Sequence, residues 1–92
     1  MAKIYIRRNI NGIIKNSWNF SWDAKEDFTR LKKIRSIRLI DTTAEKIMER
    51  EDLIIVDKIL LSAVAGAAWQ YLIDRELTHE FPIEEFYISI SV

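Results

Sequence analysis

Two segments of alternating apolar and polar residues flank the dipeptide Asn11-Gly12, and they constrain the fold more than any other feature of the chain. In the first segment, Ile4 and Ile6 lie two positions apart and so share one face of a strand. This two-residue period is typical of a half-buried strand. Asn-Gly between apolar residues is the strongest short-range signal for a β-hairpin. We therefore expect the chain to begin with two antiparallel strands.

The apolar residues also predict how the two strands of this hairpin are aligned. A strict two-residue turn places Ile6 opposite Ser17, so the apolar faces of the strands do not match. A shift of one residue pairs Ile10 with Ile14 and Ile6 with Trp18, which brings apolar residues together. Because a one-residue slip moves a whole face from core to solvent, the buried pattern should prevail. We expect a loop with an odd number of residues or a β-bulge, rather than a simple two-residue turn.

The middle of the chain combines helical and strand-like patterns. Asp23, followed three residues later by Glu26, is typical of a helix N-terminus, and apolar residues at helical spacing follow it. Residues 36–41 alternate like a short strand. Thr42, with Glu45 three residues later, then predicts the start of a second helix.

A long apolar segment and a final strand complete the pattern. Residues 53–77 are typical of a helix that is apolar over much of its circumference. Residues 85–92 alternate again, with inward positions at Phe86, Ile88, Ile90 and Val92. The order β-β-α-β-α-(α)-β predicts a single α+β domain, residues 1–92, with a roughly four-stranded, mostly antiparallel sheet and helices packed on one face.

The composition excludes several kinds of chemistry. The 92-residue chain has no cysteine, which excludes disulfides, thiolate catalysis and cysteine-ligated metals. Its single histidine excludes a multi-histidine metal site within one chain. Its two glycines are too few for the glycine-rich loops that cradle phosphates. We therefore expect neither a metal nor a cofactor.

No set of residues has the pattern of a catalytic site. His79 and Glu80 have the residue types of a general base and its orienting carboxylate, but a single histidine near a helix end is more often a surface residue. Asp23 and Lys25 match the Asp-x-Lys fragment of metal-dependent nucleases, yet no acidic residue precedes Asp23 to complete such a site. We expect a protein that is not an enzyme.

Trp18, Phe20 and Trp22 lie on one face of the second strand and allow two interpretations. Aromatic side chains near basic residues are typical of platforms that stack the bases of single-stranded nucleic acid. Aromatic residues at alternate positions are also typical of the core face of a half-buried strand. The core interpretation is preferred, because the other inward residues of the sheet need the same face.

The formal net charge of zero is the sum of two opposed halves. Residues 1–40 contain ten basic and three acidic side chains, a net charge of +7, whereas residues 41–92 contain four basic and eleven acidic ones, a net charge of −7. Such segregation favours contact with charged macromolecules, although the halves can also neutralise each other within the fold.

These observations favour a non-catalytic binding protein that acts by macromolecular contact, such as an inhibitor, an immunity-type protein or a regulatory protein that blocks another protein. The contact residues expected for such a protein partner are acidic and lie in the last turn of the long helix and after it, namely Asp74, Glu76, Glu80, Glu84 and Glu85. With neither a secretory signal nor a lipidation motif recognisable, we expect a soluble cytoplasmic protein and no membrane partner.

The alternative function is nucleic-acid binding by a basic segment between Arg30 and Arg38. Its expected contact residues are Arg7, Arg8, Lys15, Arg30, Lys32, Lys33, Arg35 and Arg38. A separate expectation is a homo-oligomer, because the long helix is more apolar than a small monomer needs and has small residues at Ala63, Gly66 and Ala67.

Overall fold

A four-stranded antiparallel sheet forms the centre of the protein in a computed structural model that describes residues 2–23 and 28–92. Its strands are β1 (Ala2–Ile10), β2 (Ile13–Trp22), β3 (Ile37–Arg38) and β4 (Phe86–Ser91). They lie in the order β2-β1-β4-β3, so the first and last strands of the chain are the two central ones. The α+β class and the antiparallel sheet expected from the sequence are confirmed.

The helices lie between β3 and β4 in the chain. They are α1 (Ala44–Met48), α2 (Ile55–Asp74) and α3 (Leu77–Glu80). Short 3₁₀ turns occupy Thr29–Lys33, Leu39–Asp41 and Ile83–Glu85.

The β1–β2 hairpin combines a tight turn with a β-bulge. Asn11 and Gly12 both have positive φ, 52° and 82°, as a two-residue hairpin turn of this twist requires. The register then shifts between Arg8 and Asn9, so that Ile6 pairs with Trp18 as the apolar pattern predicted. The expected pairing of Ile10 with Ile14 was wrong, because the bulge lies beyond the turn and leaves Ile10 opposite Ile13.

One face of the sheet and the inner side of α2 form the core. The central strands contribute fully buried Ile4, Ile6, Phe86 and Ile88. From α2 come Leu60, Leu61, Val64, Ala65, Ala68 and Leu72. The aromatic residues of β2 pack against this core, with Phe20 stacked on Tyr71 at 5.3 Å between ring centres, so the core interpretation of these residues is confirmed.

Asp57 is the only charged side chain buried among the described residues, at 2% exposure. It lies in the first turn of α2, where a negative charge interacts favourably with the helix dipole. Arg30 donates hydrogen bonds from Nε and Nη2 to this carboxylate at 3.0–3.1 Å. The pair fixes the 3₁₀ turn after β2 to the start of α2.

Several element boundaries differ from those expected. The strand expected over residues 36–41 is only Ile37–Arg38, because the chain turns into a 3₁₀ turn at Leu39. Thr43, not Thr42, is the N-cap of α1, since Thr42 Oγ1 donates to the Leu39 carbonyl at 2.6 Å. Val92 lies just beyond β4 and is half exposed rather than inward.

The helix expected after Asp23 is described only in part. Residues 24–27, and with them the expected capping partner of Asp23, lie outside the described residues. From Phe28 onward the chain forms a 3₁₀ turn, in which buried Leu31 occupies one of the positions expected to face the core.

By length and composition alone, α2 is apolar enough to cross a membrane. In the structure it packs against the sheet, and 39% of its most apolar window is buried inside the protein. The compact fold is consistent with a soluble protein, in which such a helix belongs to the core.

Candidate functional site

The second face of the sheet is covered by none of the helices that the structure describes, and we call it the open face. Its side chains are those that alternate with the buried ones along each strand. They are Lys3, Tyr5, Arg7, Ser17, Asn19, Ser21, Arg38, Tyr87, Ser89 and Ser91. The face is therefore polar, basic and aromatic, whereas the opposite face of the same strands is almost entirely apolar.

Two tyrosines lie next to each other at the centre of the open face. Tyr5 on β1 pairs with Ser89 on β4, and Arg7 pairs with Tyr87, so the two tyrosines are diagonal neighbours on the central strands. Diagonal residues of an antiparallel pair are about 7–8 Å apart, within reach of aromatic side chains. Both rings are partly exposed.

Arg7 is held in place between these strands. Its Nη1 donates a hydrogen bond to Ser89 Oγ at 3.0 Å, and its guanidinium carbon lies 4.6 Å from the centre of the Tyr5 ring. These contacts leave further N–H groups of the guanidinium to bind a ligand, since an arginine carries five donors. The cation is thus positioned beside the Tyr5 ring, directly across from Tyr87 in the strand pairing, before any ligand arrives.

The sheet concentrates positive charge. No aspartate or glutamate occurs in the residues of the four strands, all of which the structure describes. Arg8 points to the helix-covered side, where its Nε is 2.9 Å from the Glu85 carboxylate and its guanidinium lies over the Phe81 ring. Lys3, Arg7 and Arg38 remain on the open face. Arg38 Nε lies 3.9 Å from the Asp41 carboxylate, which follows β3, and both side chains of this loose pair are largely exposed.

A small open pocket of about 220 Å³ lies at one end of this face. It is lined by Arg7, Asn9, Ile14, Ser36, Tyr87, Ile88 and Ser89. Sites for complete small molecules usually enclose about 300–1,000 Å³. The pocket therefore suits one group of a longer ligand, such as a base or a phosphate, better than an entire cofactor.

The eight basic residues predicted to contact nucleic acid are separated in the structure. Arg7 and Arg38 flank Tyr87 on the open face, and Lys15 is the extra residue of the bulge. Arg30 binds Asp57, and Lys33 Nζ donates to the Asp52 carbonyl at 3.3 Å. Lys32 and Arg35 are exposed on the segment that leads to β3.

The five acidic residues predicted to contact a protein follow one another from the end of α2 to the start of β4. Asp74, Glu76, Glu80 and Glu84 are exposed, whereas Glu85 is partly buried by its ion pair with Arg8. Asp74 also accepts a hydrogen bond from Gln70 at 2.7 Å. The segment thus presents mainly Glu76, Glu80 and Glu84 to solvent.

Tyr5, Tyr87 and Lys3 were not among the predicted contact residues. Their alternation with buried residues places them on the outward side of their strands, and that signal is present in the sequence. The sequence does not show that β1 and β4 are neighbours, which is what brings the two tyrosines together.

The residues considered for catalysis do not form a reactive cluster in the described parts of the chain. His79 is exposed on α3, and residues 2–23 and 28–92 contain no group of three or more acidic or histidine side chains that could hold a metal ion. The open face instead has the groups of a binding surface, with aromatic rings, cations and hydroxyl groups.

Comparisons of the chain with protein-family models, with curated proteins and with solved structures gave no match.

Proposed function

We propose that the protein is a non-catalytic binding protein that holds single-stranded nucleic acid on the open face of its sheet. The observation that carries this proposal is the pair of tyrosines on the central strands, with Arg7 fixed beside them and no acidic residue in any strand. Single-strand binding proteins combine these same two elements, a basic surface that follows the phosphates and aromatic rings on which bases stack.

The placement of the aromatic rings favours bases as the stacked groups. Four-stranded sheets that recognise RNA stack two or three bases on aromatic side chains of their strands. Tyr5 and Tyr87 occupy equivalent central positions here, and this likeness is an analogy of arrangement rather than of ancestry. Serine and asparagine side chains around the rings provide donors and acceptors for base edges.

The distribution of charge favours the open face over the basic segment from Arg30 to Arg38. Within that segment Arg30 is engaged by a buried carboxylate, and Arg38 is the member that reaches the open face. A ligand on the open face would meet Lys3, Arg7 and Arg38, whereas Lys15, Lys32 and Arg35 are exposed outside the alternating positions that form this face.

Contact of the acidic residues with a protein partner stays a prediction. Glu76, Glu80 and Glu84 are exposed, which is compatible with binding a basic surface. The central residues of stable protein interfaces are usually aromatic or arginine side chains that become fully desolvated. The open face combines such residues more closely than the acidic segment does.

Fluorescence anisotropy with a labelled 12-nucleotide single strand, as DNA and as RNA, tests the proposal at low salt. Replacing either Tyr5 or Tyr87 with leucine should weaken binding about 5- to 150-fold, since one stacked base contributes about 1–3 kcal/mol. Tyr5→Phe and Tyr87→Phe keep the ring and should bind nearly as well as the original protein. The matched aromatic control is Tyr71→Phe, on the helix side, which should not change affinity.

The salt dependence gives an independent measurement. Binding of single strands should weaken with salt at a slope of about −0.7 per phosphate neutralised, hence about −2 for three cations. Arg38→Gln should make the slope shallower by about 0.7. Arg75→Gln removes a cation at the C-terminal end of α2 and should leave the slope unchanged.

The proposal would be refuted if neither oligonucleotide binds at low salt. It would also be refuted if the affinity is unchanged by the tyrosine and arginine substitutions. Recovery of a specific protein partner that is lost when Glu80 and Glu84 are replaced by glutamine, together with no oligonucleotide binding, would favour the protein-blocking function instead.

A further inference from the structure

A second surface, on the outer side of α2, is largely apolar and is left exposed by the described residues. Val56, Ile59 and Ile73 are 51–59% exposed there. Exposed residues along this side are spaced alternately by three and four positions, which is the seam pattern of two packed helices. We call them the α2 stripe, which consists of Val56, Ile59, Ala63, Gly66, Gln70 and Ile73.

Within the described part of the chain, no neighbouring atom requires a glycine at position 66. It lies in the interior of a 20-residue helix with ordinary helical φ, and a Cβ atom added there would meet nothing within 4 Å. A glycine in a helix interior costs about 1 kcal/mol of stability relative to alanine. A close approach of another backbone is the usual structural use of such a residue.

The α2 stripe is complementary to itself when two copies are antiparallel. The stripe is symmetric about the point midway between Ala63 and Gly66. Ile59 and Gln70 lie at equal distances on either side of that point. Val56 and Ile73, at the two ends, are also equidistant from that point. A two-fold axis through the point therefore places small residues against small residues at the centre and Val56 of one copy against Ile73 of the other at each end.

We propose that the α2 stripe is the interface of a homodimer in which two α2 helices pack antiparallel about this axis. Symmetric dimers use the same patch on both subunits, and a patch that is its own complement meets this requirement. Gln70 is the single polar member of the seam, where it faces Ile59 of the other copy, and its amide already donates to Asp74 of its own chain at 2.7 Å.

A second copy fits the stripe better than a lipid surface does. Helices that lie on membranes are rich in lysine and arginine on their polar face. Between Ile55 and Asp74 the only basic residue is Lys58, whose Nζ already donates to the Met48 carbonyl at 2.7 Å. Acidic Asp74 and Glu76 at the end of α2 would be repelled by anionic headgroups.

The dimer leaves the open faces free. α2 covers one face of the sheet, so an interface on its outer side places the two open faces on the far sides of the assembly. The dimer does not depend on nucleic-acid binding, because no residue of the α2 stripe belongs to the open face. If both hold, each dimer carries two separate binding faces.

Light scattering after gel filtration, over a concentration series to several hundred micromolar, tests the dimer. The expected mass is twice 10.9 kDa. Gly66→Gln should give a monomer whose helix content is unchanged, because the single chain has open space there. Ile59→Lys should also give a monomer, whereas Ile13→Lys, at the same 59% exposure on the hairpin, should leave the dimer intact.

A charge exchange tests the antiparallel alignment. Val56→Glu alone and Ile73→Lys alone should each give a monomer, because each places two charges in an apolar seam. The double variant should recover the dimer, since each introduced glutamate then faces a lysine of the other copy. Within one chain the two positions are about 26 Å apart along the helix, too far to compensate each other.

A monomeric mass for the original protein at the highest concentration would overturn the proposal, and so would a dimer that persists in Gly66→Gln and Ile59→Lys. A dimer without rescue in the double variant would overturn the antiparallel alignment. Binding of the monomer to vesicles of anionic lipid, lost in Ile59→Lys, would assign the stripe to a membrane instead.

Discussion

The two faces of the sheet are made by the same strands and differ in almost every property. In β4, buried Phe86 and Ile88 alternate with partly exposed Tyr87 and Ser89. The covered face contacts α2 and is close to fully desolvated, whereas the open face keeps cations and hydroxyl groups in contact with water. Neighbouring residues in the chain thus belong to different environments because the strand alternates.

This difference separates stability from function along the chain. Hydrophobic burial stabilises by roughly 25 cal/mol per Å² of apolar surface, so residues of the covered face contribute most of the folding free energy. Residues of the open face lose little solvent contact on folding and are free to be selected for binding. Substitutions should therefore act on stability at one face and on ligand affinity at the other.

The largest effect is expected from adjacent substitutions at Phe86 and Tyr87. Phe86 is fully buried against Trp18, at 6.0 Å between ring centres, so Phe86→Ala should lower the free energy of unfolding by about 3–5 kcal/mol. Tyr87→Ala should change it by less than about 1 kcal/mol. Urea denaturation followed by circular dichroism measures both values.

Phe86→Leu serves as a milder variant if the alanine variant is largely unfolded. The predicted difference between the two faces is contradicted if Tyr87→Ala lowers the free energy of unfolding as much as the Phe86 variants do. It is also contradicted if Tyr87→Ala leaves oligonucleotide affinity unchanged while the protein is shown to bind through the open face.

The next effect concerns the ion pair between Arg30 and buried Asp57. The two side chains differ in exposure, 50% for Arg30 and 2% for Asp57. Arg30→Met leaves a carboxylate buried without its cation and should cost about 3 kcal/mol. Asp57→Asn leaves an arginine that water can reach, so its cost should be smaller, about 1–2 kcal/mol.

Urea denaturation of both variants, and of the double variant Arg30→Met with Asp57→Leu, measures this asymmetry. Replacing both partners by apolar residues should cost less than Arg30→Met alone, because no buried charge remains. Equal losses for the two single variants would show that the burial of Asp57 is not what makes the pair important.

The covered face was more predictable from the sequence than the open face. Alternation identified the central strands and the pairing of Ile6 with Trp18, because burial of one face specifies register. It did not identify where the register shifts, since a bulge at Lys15 and a longer loop satisfy the same apolar pattern. The choice between Thr42 and Thr43 as the cap of α1 likewise depends on a local backbone hydrogen bond that the pattern does not contain.

The candidate site needed the strand order, which alternation alone does not provide. Tyr5 and Tyr87 are 82 positions apart in the chain, and the sequence marks each only as an outward residue. They become neighbours because β4 inserts beside β1 rather than at an edge. The charge halves were visible from composition, but Arg30 and Arg8 turned out to neutralise acidic residues of the second half within the fold.

The smallest effect is expected at the ion pair of Arg50 and Asp52, in which neither side chain is fully buried, at 28% and 54% exposure. Arg50 donates hydrogen bonds to Asp52 at 2.6 and 2.9 Å, and these bonds hold the pKa of the Asp52 carboxyl below its ordinary value of 3.8. A carboxyl whose pKa is lower in the folded protein than in the unfolded chain contributes stability above the unfolded value. That contribution is lost as the pH falls below 3.8 and through the folded pKa.

Carboxyl-carbon NMR titration of Asp52 measures this effect directly. Arg50→Gln should return the pKa of Asp52 towards 3.8, because the charged donor is gone. The accompanying change in unfolding free energy at neutral pH should be small compared with that of Arg30→Met, since solvent screens an exposed pair. A large loss in Arg50→Gln, or an unchanged Asp52 titration, would contradict the view that burial decides what an ion pair contributes in this protein.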